Sequence, residues 1–202
     1  MPNRAETRFR KEFEQFIGFE EIGGQCSIKI EVVNGQWSWL RGEITGPADT
    51  PYEGGNFVLD IKVPNTFPFN PPKVRFLTRV WHPNVSSETG AFSERLLNDS
   101  WGVATSLRAF LLSLQVWLSA AEPDYIEDRE VGLQFKEHQD VFQLTAKHWT
   151  NAYAGGSHAV PGCDAKIQDL RELNTSIDEH CARLILSKEN WDLEKAADSM
   201  FG

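Results

Sequence analysis

Four stretches of alternating apolar and polar residues follow one another between positions 28 and 76, and they restrict the fold more than any other feature. An Asn34-Gly35 pair separates the first stretch, 28–32, from the second, 37–39. Alternation with a period of two predicts half-buried strands, and Asn-Gly between two such strands is a strong hairpin signal. Four strands with short connections and no crossover helix predict an antiparallel meander.

Helical periodicity appears on both sides of these strands. Phe9, Phe13 and Phe16 recur at i, i+4 and i+7 with charged residues between them, which predicts an amphipathic helix near the N-terminus. Residues 78–104 show no clear period, but their apolar content predicts an ordered loop packed on the sheet. The expected fold class is therefore α+β, a four-stranded antiparallel meander flanked by helices. Helices are predicted over about 4–18, 107–118, 128–136 and 139–153.

The sequence predicts two domains of unequal size. Residues 1–154 hold all of these elements, and residues 155–163, with their glycines and proline, form a linker. Residues 164–202 contain three short helical patterns and are called the C-terminal module below. Because the linker has almost no large apolar residue, we expect small contacts between the domains and separate unfolding transitions.

Composition argues against several classes of function. The net charge is −9, the opposite sign to the one that phosphate neutralisation requires, so nucleic acid is not an expected partner. The cysteines Cys26, Cys163 and Cys181 lack the spacing of a zinc site or a disulfide framework, and no metal or cofactor is expected. No signal peptide and no apolar run of about 18 residues is present, so we expect no membrane partner and a cytoplasmic or nuclear location.

Three motifs are specific in combination. The run 50–55 ends in two glycines before the third strand, and the run 67–74 places three prolines ahead of the fourth, where a residue without an N–H is tolerated. Trp81 begins a Trp-His-Pro-Asn tetrapeptide. Together with the first helix and the meander, these motifs resemble the ubiquitin-conjugating enzyme family. The Trp191-Asp192 pair resembles the last helix of a ubiquitin-associated (UBA) domain, so the resemblance is greatest to members with a C-terminal UBA domain.

The resemblance implies acyl-transfer chemistry. In the family, a cysteine accepts ubiquitin as a thioester, and a substrate lysine then attacks that thioester. A thiol suits this role because its free pKa of about 8.5 leaves some thiolate at neutral pH. The loop asparagine of the family corresponds to Asn84, and Asp124 matches a further position of the site. The cysteine would stand nine residues after Asn84, where this chain has Ser93.

The surroundings of Ser93 also depart from the family pattern. Glu94 and Arg95 follow it, where an apolar residue and an acid are usual. Tyr125 stands where the family often has an acid near the incoming lysine. No cysteine lies within residues 27–162. These changes together favour a natural lineage released from the catalytic constraint over an engineered exchange of one residue.

The resemblance further implies three partners: ubiquitin, the ubiquitin-activating enzyme and ubiquitin ligases of the RING type. The family docks the activating enzyme and the ligases through its first helix, its proline-rich loop and the loop before the helix near 107. The matching residues here are Arg4, Arg8, Arg10, Lys11, Phe69, Trp101, Gly102, Val103 and Ala104. Ubiquitin contacts of a UBA-like module would fall on Leu173, Asn174 and Ile177, in a loop that is longer and more polar than the family's.

Three interpretations of function remain open. The favoured one is a catalytically inactive variant, a pseudoenzyme that binds partners of the ubiquitin pathway. The second is an active ubiquitin-conjugating enzyme, a transferase that builds ubiquitin chains, with its cysteine replaced by Ser93 in this copy. The third is a serine hydrolase that combines Ser93 with His82 and Asp99, although the sequence lacks a nucleophile elbow.

Overall fold

The sheet is the predicted four-stranded antiparallel meander. The computed structural model describes residues 4–20 and 28–201, and the strands occur in the order β1-β2-β3-β4. Their bounds are Ile28–Val32 (β1), Trp39–Thr45 (β2), Asn56–Lys62 (β3) and Lys73–Phe76 (β4). A short 3₁₀ turn joins β1 to β2, with positive φ at Asn34 and Gly35. These two residue types tolerate that backbone conformation best, which explains why the hairpin turns there.

Helices cover one face of the sheet. The helices of the larger domain are α1 (Arg4–Glu20), α2 (Glu94–Ser100), α3 (Leu107–Ser119), α4 (Arg129–Glu137) and α5 (Gln139–Trp149). The alternating residues Leu40, Ile44, Leu59 and Ile61 have no exposed side-chain surface, because they face this helical layer. A carboxylate oxygen of Glu12 accepts a 2.7 Å hydrogen bond from the Leu107 N–H, which ties α1 to the start of α3.

Helix α2 corrects one detail of the sequence analysis. It lies inside the stretch 78–104, which was predicted to be irregular. A helix of seven residues with two buried positions, Leu96 and Leu97, leaves no periodic pattern long enough to detect. The prediction that the preceding loop is ordered and packed is confirmed, since Trp81, Val85 and Phe92 are buried.

The C-terminal module consists of the three predicted helices. They are α6 (Cys163–Leu173), α7 (Glu179–Lys188) and α8 (Leu193–Phe201). Helix α6 begins at the last residue of the predicted linker. A small core of its own holds the module together, formed by Cys163, Ile167, Leu170, Ala182, Leu186, Trp191 and Ala196. Within the described ranges, no helix is long and apolar enough to cross a membrane.

The expectation of small contacts between the two domains is wrong. The Trp149 indole donates a 2.9 Å hydrogen bond to the Ser187 hydroxyl, and the Trp191 indole donates one of 2.8 Å to Thr145. All four side chains are buried. The composition of a linker predicts how freely it bends, but it carries no information about the complementary surfaces of the helices on either side.

A buried polar pair crosses the same interface. The Arg183 guanidinium donates from Nε to Nε2 of His148 at 3.0 Å and from a terminal nitrogen to the Tyr153 hydroxyl at 2.9 Å. Burial, and next the Arg183 charge, lower the pKa of His148 to about 4. His148 is therefore neutral at pH 7, as an acceptor for the guanidinium must be.

Candidate functional site

Backbone hydrogen bonds bring Asn84 and Ser93 together. Residues 81–93, called the site segment below, fold back on themselves, and Val85 forms isolated bridges to both His82 and Phe92. The Ser93 N–H donates to the Asn84 carbonyl at 3.0 Å. Two residues that are nine positions apart in the sequence are thus neighbours at one end of the sheet.

Ser93 is the N-cap of α2. Its hydroxyl oxygen accepts a long 3.4 Å hydrogen bond from the Leu96 N–H, as serine commonly does at the start of a helix. The side chain is only 3% exposed. The Ser93 hydroxyl also lies near enough to the Glu127 carboxylate to lower the pKa of that carboxyl. Both interactions give Ser93 a structural role in this loop that is independent of any acyl transfer.

Glu127 is the site residue that the sequence analysis missed. The pKa of the Glu127 carboxyl is raised, chiefly by partial burial and further by the charge of Glu94. The Ser93 hydroxyl opposes this shift. The Glu127 N–H donates to the Pro83 carbonyl at 2.8 Å, which holds this residue against the site segment. The sequence offered one signal for Glu127, an acidic residue three positions after Asp124. That spacing does not predict that Glu127 lies against the site segment.

The Asn84 side chain hydrogen-bonds to the backbone of the loop after α3. Its side-chain N–H groups donate to the carbonyls of Glu122 at 2.8 Å and Tyr125 at 2.7 Å. Its side-chain oxygen accepts from the Glu122 N–H at 2.8 Å. Both N–H groups of this buried amide are therefore engaged, and the observed contacts steady the site without leaving a donor for an oxyanion.

The geometry does not support a serine hydrolase. Nδ1 of His82 accepts from the Asn84 N–H at 3.1 Å, and Nε2 faces the Trp117 carbonyl at 2.9 Å. Burial lowers the pKa of His82 to about 4, and both ring nitrogens are taken by the backbone. An Asp99 carboxylate oxygen lies 3.8 Å from Arg95 Nε, and Asp99 helps to raise the pKa of Tyr125. His82 therefore cannot serve Ser93 as a base, and the required triad does not assemble.

Arg95, Asp99 and Tyr125 form a small cluster beside the site. The guanidinium carbon of Arg95 lies 5.1 Å from the centroid of the Tyr125 ring, and Arg95 Nε lies 3.8 Å from an Asp99 oxygen. Desolvation, and next the hydrogen bond to Asp99, raise the pKa of the Tyr125 hydroxyl. Asp124 is exposed in the same loop, and Glu94 pairs with Lys73 at 2.8 Å.

The basic residues of α1 are partly neutralised within the helix. Arg8 lies 2.8 Å from Glu12, and Arg10 lies 2.5 Å from Glu6 while it also stacks on the Trp37 ring at 4.6 Å. Lys11 is exposed. The side chain of Arg4 lies outside the described residues. The α1 surface is therefore less cationic than the count of basic residues suggested.

The predicted ligase-facing loops lie side by side at the surface. Phe69 is 75% exposed, although it is a large aromatic residue. Trp101 is half-buried and donates to the Pro68 carbonyl at 2.8 Å, so it fixes the proline-rich loop rather than presenting a free face. Gly102, Val103 and Ala104 are exposed next to it.

In the C-terminal module, one of the three predicted ubiquitin contacts presents an apolar side chain. Leu173 is 58% exposed. The Asn174 side-chain oxygen accepts from both the N–H and the hydroxyl of Ser176, which closes a local turn. Ile177 packs against the core of the module.

Comparisons with known proteins agree with this architecture. The family model described as ubiquitin-conjugating enzyme matches residues 8–150. The ubiquitin-conjugating enzyme E2-22 kDa of Drosophila melanogaster is 62% identical over 201 residues, which cover 100% of both chains. Ubiquitin-conjugating enzyme E2 K of Homo sapiens is 44% identical over 198 residues, 98% of each chain. The E2 domain of a ubiquitin conjugating enzyme from Toxoplasma gondii superposes with a TM-score of 0.66 at 39% identity, over 75% of this chain and 99% of that one.

The meander, the site segment and these matches define a protein of the ubiquitin-conjugating fold. The chain belongs to the ubiquitin-conjugating enzyme family.

Proposed function

We propose that this chain is a catalytically inactive member of the family, which binds partners of the ubiquitin pathway without carrying ubiquitin as a thioester. The observation that carries the proposal is Ser93 itself, buried beside Asn84 and engaged with Leu96 and Glu127. A serine hydroxyl ionises far above neutral pH and needs an adjacent base to attack an acyl group. Here His82 is unavailable for that task.

The two cysteines that the structure describes, Cys163 and Cys181, lie on helices of the C-terminal module and not in the site segment. Burial raises the pKa of the Cys163 thiol to about 11, which leaves almost no thiolate at neutral pH. Cys181 lies on α7 in the C-terminal module. Cys26 lies outside the described residues.

The partners that we propose are ubiquitin, the ubiquitin-activating enzyme and ligases of the RING type. The exposed side chains of Phe69, Val103 and Lys11 support the last two. Leu173 supports a weak contact with ubiquitin. We place the protein in the cytoplasm or nucleus, with a conjugating core at 1–154, a linker at 155–163 and a UBA-like module at 164–202.

The alternative is an active enzyme in which Ser93 replaces a native cysteine. The 62% identity with a Drosophila protein that is named as a conjugating enzyme favours it. In that case the exchange at position 93 alone abolishes transfer, and the surrounding residues of the site still support it.

A charging assay separates the two functions. The chain and Ser93→Cys are incubated with activating enzyme, ATP and ubiquitin, and the products are resolved without reductant. We expect no thiol-labile or base-labile adduct on the native chain. Charging of Ser93→Cys followed by full discharge to lysine would favour the alternative, and a thiol-labile adduct on the native chain would contradict the proposal.

A competition assay tests the binding role. The native chain is added to a RING ligase and a charged, active conjugating enzyme, and we expect it to slow discharge. Phe69→Ala is the matched variant, because it removes an exposed side chain without disturbing the core. Equal inhibition by both chains would argue against docking through this loop.

A further inference from the structure

A buried glutamine joins the site segment to the C-terminal module. Gln134 lies on α4 and is 2% exposed. Its side-chain oxygen accepts a 2.7 Å hydrogen bond from the Trp81 indole. Its side-chain nitrogen donates to the Ser187 carbonyl at 3.1 Å and to the Asn190 side-chain oxygen at 2.9 Å. Every hydrogen of this amide is satisfied only when the module is docked.

The hydrogen bonds of Gln134 to Trp81, Ser187 and Asn190 are called the bridge below. The bridge ends at Trp81, the first residue of the site segment. Trp81 has no exposed surface, and its carbonyl accepts from the Tyr52 hydroxyl at 2.9 Å. Its ring packs against Trp149 with centroids 5.1 Å apart. The next residue, His82, orients the Asn84 N–H. The position of the Trp81 indole therefore affects the start of the loop that carries Asn84.

A second contact reaches the same segment from the surface. Lys188, at the end of α7, lies 2.7 Å from a carboxylate oxygen of Glu88. Glu88 precedes the turn at Gly90, which leads into Ser93. The module thus contacts the site segment at its buried beginning and at its exposed turn.

We propose that the C-terminal module braces the site segment, and that Gln134 is the positioning residue through which it acts. This inference goes beyond the proposed function, because it holds whatever group Ser93 carries. When the bridge is intact, the network of buried polar groups is complete and the loop has one arrangement. When the bridge is cut, Trp81 and the loop behind it gain freedom while the sheet does not.

Two substitutions of Gln134 test the two halves of its hydrogen bonding separately. Gln134→Glu keeps an oxygen acceptor for the Trp81 indole, but it replaces the NH₂ group that donates to both Ser187 and Asn190 with a carboxyl oxygen that supplies one donor at most. Gln134→Leu removes both halves at similar volume. The matched control is Gln168→Leu, at an exposed glutamine of the module whose side chain hydrogen-bonds to Glu172 on the same helix.

The readout is amide hydrogen exchange of the full chain. The informative amides are those bonded within the site segment, namely Val85, Ser86, Gly90 and Ser93. We expect both Gln134 variants to accelerate their exchange by about fivefold or more, as the loss of a buried hydrogen bond does. The paired amides of β2 and β3 should change by less than about twofold, and Gln168→Leu should leave both sets unchanged.

Two results would overturn the proposal. One is unchanged exchange in the site segment of Gln134→Glu. The other is acceleration that spreads equally to β2 and β3, because that pattern reports global loss of stability. If Gln134→Leu does not fold, Asn190→Gly decides, since it removes one partner of Gln134 and glycine tolerates the positive φ at that position.

Discussion

Glu127 should hinder the recovery of thioester formation when a thiol is restored at position 93. A free cysteine with a pKa of about 8.5 is roughly 3% thiolate at pH 7. In Ser93→Cys the thiolate would form beside the Glu127 carboxylate, whose pKa responds to the present hydroxyl, and near Glu94. A negative neighbour disfavours a second negative charge, so the pKa of the thiol should rise.

The size of this effect follows from exposure. Glu127 is largely solvent-accessible, so screening limits the repulsion to about 1 kcal/mol at most. That energy corresponds to a factor of about five in the thiolate fraction. We therefore expect Ser93→Cys with Glu127→Gln to charge about threefold to fivefold faster than Ser93→Cys alone near pH 7.

The assay is the initial rate of charging, followed between pH 6.5 and 9 on gels without reductant. The apparent pKa of the double variant should lie below that of Ser93→Cys. Ser93→Cys with Glu137→Gln is the control, because Glu137 is exposed at the end of α4 and should not affect the rate. Identical pH profiles for all three chains would refute the role given to Glu127.

Three further outcomes are expected. Ser93→Cys should restore little discharge to free lysine, and adding Tyr125→Asp should increase it, as measured by single-turnover discharge; equal rates would contradict this. Because the domains share a buried interface, urea should unfold the chain in one transition. Trp149→Phe removes the hydrogen-bond donor to Ser187 of the module and should lower the free energy of unfolding by about 1–3 kcal/mol. Two separate unfolding transitions of the unsubstituted chain would contradict this. His82 and His148 are held neutral with a pKa of about 4, against about 6.5 when unfolded, so stability should fall as the pH drops from about 6.5 towards 4. We expect a loss of at least about 2 kcal/mol between pH 7 and 4.5 and a shallower fall in His148→Gln, measured by urea unfolding; the same slope in both chains would count against His148.

The local pattern of the sequence was enough for the sheet, the long helices and the helical region at the C-terminal end. Strand alternation and helical periodicity are properties of neighbouring residues, so they survive without any knowledge of the fold. The Trp-His-Pro-Asn motif likewise located the loop that carries Asn84 and the position of Ser93. Helix α2 escaped because its seven residues are too few to show a period.

The chemical surroundings of Ser93 were decided by tertiary structure. Glu127 reaches it across a loop, His82 is taken by backbone groups, and Arg95 rests on Tyr125, and none of these contacts leaves a spacing that can be read from the sequence.

The same holds for the docking of the C-terminal module. Gln134 is an ordinary polar residue of an amphipathic helix until the fold surrounds it with Trp81 on one side and the module on the other. Periodicity tells which face of a helix is buried, but not what covers that face. The sequence by itself thus determined the strands, the longer helices and the absence of a cysteine at position 93. Only the tertiary structure decided which side chains touch Ser93 and what holds its loop in place, because those contacts join residues that are distant in the chain.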